Sequence, residues 1–232
     1  MNAYSFTFGE HRLTALPSGA LWWDARRLLC VSDLHLCKSD RVARRAGQLL
    51  PPYETLETLA RLAHDIALTD PATVLCLGDS FDDLMAAETL SPRDTATLIS
   101  LQAGRRWLWL EGNHDPGPLS LGGTHLAQYV DGGLTFRHIA TASPLEISGH
   151  YHPKYAIPGA GSARPCFLFD DSRLVLPAYG AYTGGLPATH DSLTRLFGPQ
   201  PCAILTGRRA ICVPVTRSAR PAPPIRWRDS RR

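Results

Sequence analysis

The chain has no stretch of about 18 consecutive apolar residues. Its first residues, MNAYSFTFGEHRLT, lack a basic start followed by an apolar core. A membrane span and an export signal are therefore not expected, and a cytoplasmic protein is. Also absent is any C-x-x-C pair among Cys30, Cys37, Cys76, Cys166, Cys202 and Cys212. Three of these lie inside apolar, strand-like runs, where cysteine behaves as a small core residue. The set is expected to be reduced thiols, neither a zinc site nor a disulfide frame. No internal repeat occurs, and no linker divides the body of the chain.

What is present is an apolar fraction of 44% in 232 residues, enough to bury a large core. The net charge of +3 is unevenly spread, because the last sixteen residues, RSARPAPPIRWRDSRR, carry six arginines and one aspartate. The tail thus holds +5 and the remainder −2, so the body is not a basic platform for nucleic acid. The expected organisation is a single domain over 1–216 and an Arg/Pro-rich tail over 217–232. The tail has little to bury and is either a solvated end or an electrostatic arm.

Short apolar runs recur at RLLCVSD (27–33), TVLCLGD (73–79), RWLWLEG (106–112), LTFRHI (134–139) and PLEISGH (144–150). Between the first three lie helical patterns. In ETLETLARLAHDIALTD the residues Leu56, Leu59, Ala60, Ala63, Ile66 and Ala67 recur at three- and four-residue spacing, and SPRDTATLISLQ opens with a capping serine and a proline. Strand alternating with helix predicts a parallel-type sheet covered by helices. After about residue 125 the helical patterns stop. CFLFDDSRLVLPAYG and CAILTGRRAICVPV have the form of hairpins, giving α/β character first and α+β character later.

The polar residues at the strand ends carry the chemistry. The first three runs finish in Asp33-Leu34-His35, Gly78-Asp79 and Gly112-Asn113-His114-Asp115; two later ones finish in His138 and in Gly149-His150-Tyr151-His152. In open α/β sheets, sites form beyond the carboxyl ends of the strands, so these clusters should converge. Residues two apart on a strand share a face, which pairs Asp33 with His35 and His150 with His152. Five of the nine histidines fall in these clusters. Singly, each cluster is a common turn or helix cap. Two imidazoles that would repel when both charged are relieved by a shared cation, and the clusters together point to a metal site.

D-L-H (33–35), G-D (78–79), G-N-H-D (112–115), His138 and G-H-x-H (149–152) resemble the motifs of the calcineurin-like metallophosphoesterases. Over nearly the whole chain, ALWWDARRLLCVSDLHLCK with RPCF, LPAYG and YTGG is similar to the bacterial ligase-associated DNA damage response phosphoesterases, the PdeM group. The resemblance implies a four-layer αββα sandwich of two mixed β-sheets. It implies two divalent metal ions, most readily Mn2+ with Zn, Fe, Co or Ni as alternatives. Asp33, His35, Asp79 and His152 would hold one ion, and Asp79, Asn113, His138 and His150 the other. His125 is the substitute should His138 point elsewhere. Glu111 departs from the family pattern, which implies a basic or apolar residue at that place.

The implied reaction is in-line hydrolysis of a phosphodiester by a hydroxide bridging the two ions. His114 is the expected general acid and Asp82 the residue that orients it. Lys38, Arg45 and Arg164 are candidate substrate-binding groups. The implied substrate is DNA, as a repair endonuclease functionally linked to a ligase, a helicase and an exonuclease. A phosphodiesterase or phosphomonoesterase acting on small nucleotides, or an inactive scaffold binding protein partners, remains the alternative. The adjacent Trp22 and Trp23, with an exposed-looking LPAYGAYTGG segment, leave a homodimer open.

Overall fold

Residues 4–15 alternate polar and apolar side chains, and this pattern builds a sheet edge with one wet face. In the computed structural model, which describes residues 2–39, 42, 53–82, 89–117, 121–141 and 143–216, β1 (Tyr4–Phe8), β2 (His11–Ala15) and β3 (Leu21–Trp23) form an antiparallel meander. Antiparallel to β3 runs β4 (Leu28–Val31). Then β5 (Thr73–Cys76), β6 (Arg106–Leu110) and β7 (Thr124–Leu126) follow in parallel, completing a mixed seven-stranded sheet. The connection from β4 to β5 carries helix α1 (Glu54–Thr69), and that from β5 to β6 carries α2 (Pro92–Gln102). α2 starts as its sequence predicts, with Ser91 Oγ accepting the Asp94 N–H at 3.1 Å and Pro92 in the first turn.

The second sheet is built from β8 (Tyr129–Asp131), β9 (Leu134–Phe136), β10 (Glu146–Ser148), β12 (Arg164–Phe169), β13 (Arg173–Val175), β14 (Cys202–Leu205) and β15 (Ile211–Pro214), with β11 (Lys154–Tyr155) beside β12. It too is mixed. β10 lies parallel to β9 and β13, and the other pairs are antiparallel. Both expected hairpins form, at β12–β13 and β14–β15. The helices do not end at residue 125, because a single turn, α3 (Asp191–Thr194), follows β13.

Three buried clusters mark the layers. Leu13, Trp23, Cys30, Leu108, Phe136, Ile147 and Phe167 fill the space between the two sheets. Leu59, Leu62, Ile66 and Leu98 join Val31, Val74 and Trp109 on the outer face of the first sheet. Leu193 and Phe197 cover the second sheet over Leu168 and Leu205. The fold is therefore α/β, two mixed sheets flanked by helices in an αββα sandwich. No described helix is long and apolar enough to cross a membrane.

Two expectations are corrected here. Of the spaced residues Leu56, Leu59, Ala60, Ala63, Ile66 and Ala67 on α1, Leu59 and Ile66 are buried, but Leu56, Ala60 and Ala67 are exposed, and the face turned inward also holds Thr55, Thr58, Leu62 and Asp65. Its polar members have partners. Thr58 Oγ1 accepts the Ala181 N–H at 3.0 Å, and Asp65 accepts the Tyr179 hydroxyl at 2.8 Å. Correspondingly, the LPAYG part of LPAYGAYTGG is interior, with Leu176 and Tyr179 fully buried. Trp23 is likewise buried, stacked toward Phe136 between the sheets, while Trp22 is half-buried.

Candidate metal centre

Strand ends place the site. β4, β5 and β6 lie side by side in parallel, so the segments leaving their C-terminal ends emerge together, as the parallel order requires. After β4 and β5, and after β10 of the second sheet, the chain adopts left-handed backbone at Asp33 (φ 54°), His35 (φ 44°), Asp79 (φ 46°), His150 (φ 70°) and His152 (φ 47°). Such conformations are costly for residues with a Cβ and concentrate at functional sites. They are held by a mesh of hydrogen bonds between loops. Asp33 N–H donates to Gly78 O at 3.3 Å, His35 N–H to Asp79 O at 3.0 Å, and the His150 N–H to Asp33 Oδ2 at 3.0 Å.

Two groups of side chains converge. In one, Asp33, His35 and His152 bring ligand atoms within 4.8 Å of one another; in the other, Asp79, His138 and His150 do the same. His152 Nε2 is 3.1 Å from Asp33 Oδ1 and 3.4 Å from His35 Nε2. His138 Nε2 is 3.4 Å from Asp79 Oδ2, 3.3 Å from His150 Nδ1 and 2.9 Å from Asn113 Oδ1, so Asn113 belongs with the second group.

The imidazoles are aimed from behind. His35 Nδ1 bonds Asp82 Oδ1 at 2.8 Å, and His138 Nδ1 donates to the carbonyl of Leu77 at 2.7 Å. Each therefore turns Nε2 into its cluster, the arrangement by which metal-binding histidines are oriented. Asp33 and Asp79 are 0% and 2% exposed, and the cations within reach of their carboxylates among the described residues are histidines, not Lys or Arg. Carboxylate, imidazole and amide oxygen without thiolate fit divalent first-row ions, and the residues present fit two of them.

The electrostatics point the same way. Burial raises the Asp79 carboxyl, but the hydrogen bond and charge of His138, with the His114 N–H, outweigh it and hold it at about 2. Asp33 is also lowered, burial being overcome by His152, His138 and the Ser32 hydroxyl. Burial and the neighbouring His138 charge push His150 down, toward the neutral ligand form.

His114 stands at the edge of the site. Its N–H donates to Asp79 Oδ1 at 2.8 Å, and its Nδ1 lies 2.8 Å from the main-chain carbonyl of Asp82. A carbonyl only accepts, so Nδ1 carries the proton. Nε2 lies on the other side of the ring, 4.0 Å from Asp79 Oδ2. Asp82 thus touches both histidines, its carbonyl orienting His114 and its carboxylate His35.

The candidate substrate groups are more scattered. Lys38 is half-buried just beyond the D-L-H loop, and Arg45 lies outside the described residues. Arg164 donates to the carbonyls of Thr206 and Arg209, not to the clusters. His125 stacks on Trp109, with ring centroids 6.4 Å apart, while His138 occupies the cluster.

Sequence reasoning missed the supports. Asp115 accepts the N–H groups of Asp79 (2.9 Å), Ser80 (2.8 Å) and Phe81 (3.2 Å), bracing the G-D loop. A carboxylate directly after G-N-H was the available signal. The LPAYG strap lies behind the D-L-H loop, Tyr179 N–H donating to Ser32 O at 2.8 Å and Gly180 N–H to Asp33 O at 3.1 Å. A Cβ at Gly180 would overlap the carbonyl of Leu34. This is why the strap needs glycine there.

Residues 26–193 match the family described as calcineurin-like phosphoesterase. The chain belongs to that family. No curated protein matches it. Among solved structures, the phosphoesterase is similar to the one titled "Crystal structure of Pseudomonas putida nuclease MPE", at 26% identity and a TM-score of 0.68, over 91% of this chain and 100% of that one. Family membership and the convergent His/Asp triads make this chain a metal-dependent phosphoesterase.

Proposed function

We propose that the protein is a two-metal phosphodiesterase, with DNA as the substrate class, working in the cytoplasm in the setting of the ligase-associated phosphoesterases. The observation that carries this reading is the pair of ligand groups meeting at one place, Asp33/His35/His152 and Asp79/His138/His150, with Asn113 beside the second. When bound, a pair of divalent ions supplies charge that counters the negative charge growing at phosphorus and makes water a nucleophile near neutral pH. Manganese is the ion we favour for this donor set.

The chain's own residues do the rest. Asp79 is a member of the second group, and the family resemblance would give it a share in holding both ions. His114, with Nδ1 tied to the Asp82 carbonyl, holds a proton on Nε2 and delivers it to the departing oxygen. Asp82 fixes the tautomer of His35 through its carboxylate. Support for a nuclease comes from the similarity to the Pseudomonas putida nuclease.

The test is hydrolysis of bis-p-nitrophenyl phosphate and p-nitrophenyl phosphate by protein stripped of metal and then given manganese. Diester turnover that appears only with metal supports the proposal and leads to DNA substrates. Failure on both esters, with two ions bound per chain, overturns it in favour of a scaffold.

A further inference from the structure

Beside the second ligand group lies an open cavity of about 400 Å³, bordered by Glu111, Asn113, Pro116, Arg137, His138 and Ile139. Two of these residues belong to the candidate ligand set, so whatever fills the cavity adjoins the reacting phosphate. Its chemistry is not that of a phosphate site. The Arg137 side chain is directed at Glu146 Oε1 (2.7 Å) and Gln128 Oε1 (2.9 Å). Glu111, by contrast, is exposed and makes no ion pair among the described residues, and Ile139 is 42% exposed. A free carboxylate accepts hydrogen bonds from hydroxyl, imide or amine groups and repels anions, while Ile139 and Pro116 offer an apolar surface. Such a mixture suits a neutral, flat, donor-bearing group. A volume of this order is at the small end of ligand pockets.

We propose that this cavity is a nucleoside subsite: it receives the terminal sugar and base of a DNA strand on one side of the scissile phosphodiester, and Glu111 disfavours a further phosphate beyond them. The assignment rests on the phosphodiesterase reading of the adjoining site and names what that site holds. Two unit charges about 5 Å apart in water interact strongly enough to change binding roughly fourfold, and salt reduces this.

The probes are thymidine 5′-monophosphate and thymidine 3′,5′-bisphosphate, added to zinc-loaded, full-length protein and followed through the δ1 methyl resonance of Ile139. Whichever phosphate of the bisphosphate approaches the metal site, the other projects past the sugar. The monophosphate should shift the Ile139 methyl, and the bisphosphate should bind roughly fourfold more weakly at low salt. Glu111→Gln should erase that difference. Binding of the monophosphate with no change at Ile139, or the same ratio in wild type and Glu111→Gln, overturns the proposal. If neither nucleotide binds while bis-p-nitrophenyl phosphate is hydrolysed, the subsite fails and the phosphodiesterase stands. If the methyl shifts but no ester is hydrolysed, the catalytic reading fails, and with it the assignment of the cavity to a scissile diester; only nucleoside binding is left.

Discussion

Asp115 and Asp79 lock each other's loops. The Asp115 carboxylate accepts the Asp79 N–H at 2.9 Å, while the Asp79 carboxylate accepts the N–H of His114, the residue before Asp115, at 2.8 Å. Replacing Asp115 by Ala leaves the buried N–H groups of Asp79, Ser80 and Phe81 without their acceptor. The expected cost is about 2–4 kcal/mol of stability and a roughly 10- to 100-fold loss of metal affinity. Denaturant unfolding and metal titration of the variant measure both. Full metal affinity in Asp115→Ala would show that the loop holds its shape without this brace.

His114 separates leaving groups. An alkoxide needs a proton on departure and p-nitrophenolate does not, so His114→Ala should lose roughly 10²- to 10⁴-fold on alkyl diesters and far less on p-nitrophenyl esters. Both kcat values are to be measured at saturating metal. Equal losses on the two substrates would remove His114 from the acid role.

How much of this was visible in the chain follows from the range over which each feature acts. The parallel core and its helices were legible because apolar periodicity is local, and so were the clusters at the strand ends. The N-terminal meander was overlooked: its first two strands alternate over only five residues each, and the third, Leu21–Trp23, carries too few to show a period. The buried face of α1 was legible only in Leu59 and Ile66, because Thr58 and Asp65 also face inward to bond the strap at Ala181 and Tyr179, more than a hundred residues away. A hydrophobic stripe could not announce a polar contact. Asp82 was singled out, but its division of labour, carboxylate to His35 and carbonyl to His114, depends on how a loop turns.

Gly149 is required by space. A Cβ there would overlap Ser32 Oγ and lie 2.6 Å from Asp33 Oδ2. Gly149→Ala should displace Asp33 or the His150–His152 segment and lower metal content while leaving the core strands paired. Metal analysis with circular dichroism tests this. A variant that binds two ions as tightly as wild type would mean that the loop yields at no cost.

The turn between β12 and β13 should contribute acid sensitivity. Asp170 accepts N–H bonds from Ser172, Arg173 and Gly198 at 2.8–2.9 Å. Burial raises its carboxyl, but these bonds from Gly198, Ser172 and Arg173 lower it on balance below its usual value of 3.8. The folded state therefore favours the ionised form. Its contribution is complete above the unfolded-state value near 4 and is lost as pH falls through the lower folded value. Asp170→Ala should cost about 1–3 kcal/mol at pH 7, and the gap from wild type should narrow below pH 4. Urea unfolding of both proteins at pH 7 and at pH 3 measures it; a gap that stays constant would assign the effect to packing.

The cysteines divide by burial. Cys30, Cys76 and Cys166 are fully buried, and desolvation pushes their thiols up, that of Cys166 to about 12. Cys202 and Cys212 are half-buried on neighbouring strands, paired through Cys202↔Pro214 and Ile204↔Cys212. The nucleophile in alkylation is the thiolate, so a buried thiol with a raised pKa is protected twice, by access and by protonation. Iodoacetamide at pH 8 should therefore modify Cys202 and, more slowly because burial also pushes its thiol up, Cys212 in the native protein, and spare Cys30, Cys76 and Cys166. Under denaturing conditions all six cysteines should react. Peptide mass spectrometry counts the sites, and early modification of Cys30 or Cys76 would show that the first sheet opens to solvent without global unfolding.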